Sequence, residues 1–252
     1  MKISIITVSF NSARTIADTL QSVDAQTWSE IEHIVIDGAS TDDTMAIISA
    51  HDTPGRIVSS EKDHGIYDAM NKGLRLATGD LVGFLNADDV FADPGAVARL
   101  AAAADRTGAD ALFSDLVYVR QHDLDAVVRY WACGAFSRRR LHLGWMPPHP
   151  TFYVRRSLQA KVGEFDTGLR IAADYDFMLR TLCRSDITTA HVPVVMVRMR
   201  TGGVSNRSLT MLWRKSHEDL VALRRSGIGG WPTLMCKNLR KLPQFLQRSP
   251  QS

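Results

Sequence analysis

Leu81-Val82-Gly83-Phe84-Leu85-Asn86-Ala87-Asp88-Asp89 is an apolar run that stops abruptly on an amide and two acids. The uncharged stretch reads as a buried strand, and Asn86, Asp88 and Asp89 stand where its backbone leaves the core. Toward the amino terminus, Tyr67 to Ala77 sets Met70, Leu74 and Ala77 on one helical face, and Arg56 to Ser60 is a short strand before it. Glu32 to Ile36 is another apolar strand, closed by Asp37. Ser40, with Asp43 three residues on, then reads as the N-cap of a helix through Met45, Ile47 and Ile48. Lys2 to Phe10 is rich in β-branched residues, and Ala13 to Val23 follows with helical spacing at Ile16, Leu20 and Val23. Strands alternating with helices predict an α/β fold, a Rossmann-type and mostly parallel sheet flanked by helices.

Beyond Asp89 the alternation is lost. Pro94 to Thr107 is an alanine-rich helix, Asp110 to Arg120 and Leu124 to Trp131 read as paired strands, and Arg139 to Pro150 as a loop rich in Pro, His and Arg. Thr151 to Val154 resumes as a strand, Asp174 to Leu182 is a helix with Phe177, Met178 and Leu182 inward, and Ala190 to Val197 is a late strand. After Asn206 the pattern is helical, with Leu209, Leu212, Trp213, Leu220 and Leu223 near one face, until Gly227, Gly229 and Gly230 interrupt it. Trp231, Leu234, Met235, Leu239, Leu242, Phe245 and Leu246 then alternate with Lys237, Arg240, Lys241 and Arg248. A helix lying in an anionic membrane surface has this composition, and so does one packed on the body with its charges in water. The expected division is a catalytic body over 1–206 and a helical basic extension over 207–252.

With 252 residues, 45% of them hydrophobic and 23% charged, the chain can bury a large core as an ordinary globular protein does. The aliphatic stretch Ile3 to Val8 is too short to span a bilayer, and Asn11 and Arg14 stand where an export signal needs small residues, so no export is expected. Cys133, Cys183 and Cys236 are far apart and form no CxxC pair, which argues against a disulfide framework or thiolate metal site and suits a reducing cytoplasm. The net charge of +3 is unevenly spread: nine Lys and Arg residues between Arg207 and Arg248 meet only Glu218 and Asp219, so the preceding body is net acidic. That body carries no basic face or module for nucleic acid, which is therefore not an expected partner.

In open parallel sheets, ligands enter a crevice beyond the carboxyl ends of the strands. Those ends carry Thr7, Ser9 and Asn11 on the first strand, Asp37 on the second, and Asn86, Asp88 and Asp89 after the fourth. Asp88 and Asp89 are candidate ligands for Mg²⁺ or Mn²⁺, hard ions that share carboxylate oxygens with substrate phosphates; acids after a strand equally cap the next helix. Asp37 can accept from a nucleobase N–H or a ribose hydroxyl, although Asp37-Gly38-Ala39-Ser40 is also a turn in its own right. Asp68, Asn71 and Lys72 gather on the first turns of a helix, where N–H groups and a lysine can meet phosphate or sugar hydroxyls. A dinucleotide-dependent oxidoreductase would need GxGxxG after the first strand, where Val8-Ser9-Phe10-Asn11-Ser12-Ala13 stands instead. A nucleotidyltransferase would want an early Gly-rich basic loop, which is absent; a non-catalytic nucleotide-sugar-binding protein remains open.

Ser60 to Asp89, SEKDHGIYDAMNKGLRLATGDLVGFLNADD, resembles a stretch shared by family 2 glycosyltransferases, in particular the bacterial capsule, exopolysaccharide and glycolipid enzymes. The likeness runs from Lys2 to Asn206. It implies a GT-A-like fold and inverting transfer of a sugar from a UDP-, GDP- or dTDP-linked donor to a lipid-linked or saccharide acceptor, in exopolysaccharide or lipopolysaccharide biosynthesis. It also implies a peripheral place on the inner face of the cytoplasmic membrane, with a homodimer allowed. Asp37 would bind the base. Asn86 and Asp88 would take the DxD-like positions, Asn86 replacing the first carboxylate and Asp88 holding the metal. In Ile171-Ala172-Ala173-Asp174-Tyr175-Asp176, Asp174 aligns with the catalytic base and Ala173 replaces the customary Glu; read from pattern alone, Asp174 is equally a helix N-cap. His149, in Pro147 to Tyr153, and Asp176 would meet sugar or acceptor. Arg198 to Asn206, carrying Arg200 and Ser205, would be a mobile loop closing over the donor.

Overall fold

The computed structural model describes residues 1–202 and 209–240. Its parallel half is built from β1 (Ile3–Ser9), β2 (Ile31–Asp37), β3 (Ile57–Ser60) and β4 (Leu81–Phe84), connected by α1 (Ile16–Asp24), α2 (Thr44–Ala50) and α3 (Ile66–Leu76). The strands lie in the order β3-β2-β1-β4. Register brings Ser9, Asp37 and Ser60 side by side at one edge, so the polar residues that end each strand share a rim.

Past β4 the sheet becomes mixed. β8 (Tyr153–Arg155) runs antiparallel between β4 and β6 (Ala111–Arg120), and β9 (Thr189–Arg200) runs parallel to β6. β5 (Asp89–Phe91) pairs antiparallel with the end of β9, and β7 (Asp123–Trp131) forms the expected pair with β6. Helices cover both faces. Tyr67, Met70 and Leu74 of α3 share one core cluster with α7 (Ala173–Leu182), and α4 (Ala96–Thr107) packs its alanines into another with Ile3, Ile5 and Leu112. At Gly83 the ring of Tyr153 lies directly across the backbone, in the space a Cβ would need, which explains a glycine in a buried central strand.

Several elements differ from the sequence expectation. Asp89 opens a strand of its own because its backbone pairs with Met199 of β9, a contact no local pattern announces. The expected loop from Arg139 contains a five-residue helix, α5 (Arg138–His142), capped by Ser137, and a short helix α6 (Arg156–Val162) follows β8; both are too short for periodicity to reveal. Ser40 is not an N-cap: α2 starts at Thr44, and the Ser40 hydroxyl is drawn to Asp37 at 2.5 Å.

At the carboxyl-terminal end, α8 (Leu209–Arg225) sends Leu220, Ala222 and Leu223 into the main core, leaving Leu212 and Trp213 exposed. α9 (Trp231–Leu239) turns Thr233, Leu234 and Lys237 inward. The Lys237 ammonium lies 2.8 Å from Asp219 and 3.3 Å from the ring centroid of Tyr175, so this face is docked by a buried ion pair and a cation–π contact. The helix approaches closely because residue 144 is glycine: at φ +73, a Cβ there would sit 2.5 Å from the Lys237 Cα. Trp231, Met235 and Leu239 form the outward stripe. Leu242, Phe245, Leu246, Lys241 and Arg248 of the anticipated basic helix lie outside the described residues. No helix among the described residues is long and apolar enough to cross a membrane.

Candidate active site

The rim is held together by one carboxylate. Asp37, fully buried, accepts from the Ser9 hydroxyl at 3.1 Å, the Ser60 hydroxyl at 2.8 Å and both the hydroxyl and N–H of Ser40, the latter at 2.9 Å. Asn11, in the left-handed region at φ 49, takes the Thr41 N–H on its side-chain oxygen at 2.9 Å and gives its own N–H to Ser40. Between them Phe10 stands 62% exposed, an aromatic ring presented to solvent directly beside this network. Sequence reasoning passed over Phe10; its signal was an aromatic directly after a strand whose residues are all buried.

The acidic turn follows β4. Asp88 is half-buried, and Asp89 is fully buried. Burial pushes the Asp88 carboxyl up, against the pull of Arg200, and pushes Asp89 well above the usual carboxylate range with the Asp88 charge adding to the effect. Two oxygens here, Asn86 Oδ1 and Asp89 Oδ1, are buried without a hydrogen-bond partner. Orphaned acceptors next to the Asp88 carboxylate make an all-oxygen donor set that fits a hard divalent cation, whose charge would offset the burial that raises both acids. Arg200 is not on a loop. It ends β9, buried, and gives Nη1 to the Asp88 carbonyl at 2.9 Å and Nε to the Gln121 carbonyl at 3.1 Å while pairing with Asp18.

Asp174 sits half-buried in the first turn of α7. Its Oδ1 accepts from Tyr67 at 3.2 Å and from the Tyr175 N–H at 2.8 Å; the same phenol reaches the Ile171 carbonyl at 2.7 Å. Burial, with the charge of Asp174 adding, pushes the Tyr67 phenol up, so it remains a donor. His149 connects the two acidic regions. Its ring stacks on Phe84, two residues before Asn86, at 5.3 Å; burial holds its pKa down while the Asp174 charge pulls the other way. Neither ring nitrogen has a hydrogen-bond partner among the described residues, so a neutral imidazole is left with polar capacity to spare.

One further group has metal-binding chemistry: Asp115, Cys133 and His191 bring an oxygen, a sulfur and a nitrogen within 4.8 Å of one another. Hydrogen bonds already account for it. Asp115 takes the Tyr130 hydroxyl at 2.5 Å, the Cys133 N–H at 3.0 Å, the thiol at 3.3 Å and His191 at 3.0 Å, and burial pushes the thiol far up, away from the thiolate a metal would require.

The family model described as glycosyl transferase family 2 matches residues 4–172. This chain is a family 2 glycosyltransferase. An uncharacterized glycosyltransferase of Mycobacterium tuberculosis is 36% identical over 206 residues, 81% of this chain and 77% of the relative. A PGL/p-HBAD biosynthesis glycosyltransferase of Mycobacterium bovis is 31% identical over 98% of this chain and 93% of its own. Among solved structures, S. aureus TarS 1-349 in complex with UDP-GlcNAc superposes with a TM-score of 0.71 at 19% identity, covering 98% of this chain and 72% of TarS. Mannosyltransferase PcManGT from Pyrobaculum calidifontis, in complex with GDP-Man and Mn²⁺, gives 0.65 at 18%, covering 97% and 73%. The fold is thus GT-A, and the oxidoreductase, nucleotidyltransferase and non-catalytic readings give way to a glycosyltransferase.

In this family 2 glycosyltransferase, several expected donor contacts are spoken for by the protein itself. Thr7 points to His33 at 3.0 Å inside the sheet. Asn71 is buried and its amide spans to Phe165, donating to its carbonyl at 3.0 Å and accepting its N–H at 2.8 Å. Lys72 is paired with Asp63 at 2.5 Å and Glu61 at 2.9 Å, and Asp68 takes the His64 N–H. Asp176 is buried and pairs with Arg180 at 2.7 Å. Only the Thr7 and Asn71 contacts reach across the fold; those of Lys72, Asp68 and Asp176 are made within about a dozen residues along the chain. Ser205 lies outside the described residues.

Proposed function

We propose that this glycosyltransferase moves one sugar, with inversion, from a nucleoside diphosphate sugar to a hydroxyl of a lipid-linked or saccharide acceptor, assisted by Mg²⁺ or Mn²⁺. The observation that carries the reading is the pair of unpartnered oxygens, Asn86 Oδ1 and Asp89 Oδ1, flanking Asp88 where β4 leaves the sheet. Asp88, with Asp89 behind it, would hold the cation, which when bound neutralises charge on the donor diphosphate. Phe10 offers a face for the nucleobase, and the serine-rimmed Asp37 network with Asn11 fixes the loops that flank it.

Asp174 accepts the proton of the acceptor hydroxyl as its oxygen bonds to the anomeric carbon; the carbon–oxygen bond to the diphosphate breaks and the nucleoside diphosphate leaves with that electron pair. One displacement inverts the anomeric centre. Tyr67 keeps Asp174 in place by donating to Oδ1, and His149, neutral and with free nitrogens, is available to a sugar hydroxyl. The lipid-linked class of acceptor is favoured by α9, whose outward Trp231, Met235 and Leu239 neighbour Arg240 and suit an anionic membrane surface. A homodimer is compatible with the reading and not required by it.

The test is thermal stabilisation by UDP-, GDP- and dTDP-sugars with Mn²⁺, followed by turnover. Asp88→Ala should lose the Mn²⁺-dependent donor shift. Asp174→Asn should keep that shift and lose turnover by a factor on the order of 10² to 10⁴, the usual contribution of a positioned base. Donor shifts and rates equal to wild type in both variants defeat the proposal.

A further inference from the structure

Asp174 opens α7 without the acid that family resemblance leads one to expect before it, since residue 173 is alanine. The N-cap, Ala172, has no side chain able to accept, so the N–H groups entering the helix need a partner from elsewhere. The N–H of Ala172 and those of the two residues before it find one in Glu218, on α8, 46 to 48 residues further along the chain. Glu218 is buried, and its two oxygens accept three consecutive backbone N–H groups: Arg170 at 3.2 Å on one, Ile171 at 2.8 Å and Ala172 at 3.0 Å on the other. Tyr67 grips the same segment from the opposite side through the Ile171 carbonyl at 2.7 Å. The backbone just before Asp174 is therefore clamped by donors and acceptors from two different helices, with a single alanine between clamp and carboxylate.

We propose that Glu218 is a positioning residue for the transfer reaction, supplying from the carboxyl-terminal helix the support that residue 173 cannot give. The proposal rests on the reading of Asp174 as the base. A carboxylate bonded to three N–H groups is a strong, charge-assisted tether, and it sets the height and direction of Asp174 toward the acceptor hydroxyl. Loss of the tether lets the α7 entry relax, and displacement of a catalytic group by about 1 Å costs on the order of 10²-fold in rate. The extension that begins after residue 206 is then part of the catalytic apparatus as well as a surface element.

The experiment measures nucleoside diphosphate release from whichever of UDP-glucose, UDP-N-acetylglucosamine and GDP-mannose the wild-type chain turns over with Mn²⁺. Glu218→Ala and Glu218→Gln are compared in the wild-type and Asp174→Asn backgrounds. Glu218→Ala should lower kcat by about 10²-fold with donor KM changed less than about threefold, the signature of an interaction used in the transition state alone. Glu218→Gln, which keeps one carbonyl acceptor, should fall between, and carries the comparison if the alanine variant does not fold. In the Asp174→Asn background either change should add nothing, because its effect runs through the missing carboxylate. An equal fold-loss in both backgrounds, an unchanged kcat, or a raised KM with kcat intact overturns the positioning role. Full turnover by Asp174→Asn alone, or no release from any of the three donors by the wild type, instead defeats the underlying assignment of the base.

Discussion

His33 should make this fold sensitive to mild acid. It lies buried on β2, its Nδ1 accepting from Arg56 Nε at 3.2 Å and its Nε2 meeting the Thr7 hydroxyl at 3.0 Å. The guanidinium fixes the tautomer, because a nitrogen that accepts from Arg56 cannot carry the proton, so Nε2–H donates to Thr7. Burial, with the Arg56 charge adding, holds the imidazole down at about 3, far below its ordinary 6.5. A histidine depressed in the folded state stabilises the fold fully above 6.5, and that contribution is lost as pH falls from there toward about 3, because only the unfolded chain takes up the proton. At about pH 5 the loss is about 2 kcal/mol, at roughly 1.4 kcal/mol per unit below the unfolded value. With an m-value of about 2 kcal/mol/M, the urea midpoint should drop by about 1 M between neutral pH and about pH 5. In His33→Gln the amide can accept from Arg56 and donate to Thr7 without titrating. That variant should unfold close to wild type at neutral pH and lose most of the acid-induced drop, while all other groups cancel in the comparison. An identical midpoint shift in both proteins would refute the assignment of the acid sensitivity to this side chain.

Gly83→Ala should destabilise the protein by about 1 to 3 kcal/mol or prevent folding, because a methyl group there meets the buried Tyr153 ring, and chemical denaturation measures it. Lys237→Met should cost about 3 kcal/mol by the same measurement, since it removes the 2.8 Å partner of buried Asp219 and the cation over Tyr175; donor binding should survive. Trp231→Ala with Met235→Ala should reduce partition onto anionic phospholipid vesicles by about tenfold and leave the donor-induced thermal shift unchanged, whereas equal partition removes the membrane role of α9.

The parallel half of the sheet was legible because β1, β2 and β4 are runs of mostly buried residues that end on or just before a polar one, and the helices between carry a regular apolar stripe. Both signals are local. β5 and α6 were not legible, because Asp89 to Phe91 becomes a strand only when β9 returns beside it, and Arg156 to Val162 is under two turns long. The same division runs through the site. The position of Asp37, Asn86, Asp88 and Asp174 at or near the carboxyl rim follows from local pattern and family resemblance, whereas the employment of Asn71, Lys72 and Arg200 depends on what the chain brings against them from 9 to 112 residues away. Arg200 shows the difference most clearly: its charge and nearby glycines read as a loop residue for a diphosphate, yet pairing of β9 with β5 and β6 turns it into a brace for the Asp88 backbone.

That brace bears on how the site treats a nucleotide sugar. Asp37 has four donors on its two oxygens, Lys72 is ringed by acids, and Arg200 spends its guanidinium on two carbonyls and Asp18. Each of these charges already has partners within the protein, so giving one to a ligand means breaking bonds the fold makes. Among the described residues named for this site, the groups with capacity left are the oxygens of the Asn86–Asp89 turn, the His149 nitrogens, the half-buried Asp174 carboxylate and the exposed face of Phe10. Apart from an aromatic surface and a neutral imidazole, that inventory is one of acceptors. A diphosphate, itself an acceptor carrying negative charge, has no reason to approach it alone. On the proposed reading, donor binding at this rim calls for a cation carried with the diphosphate, which Asp88 and Asp89 would hold.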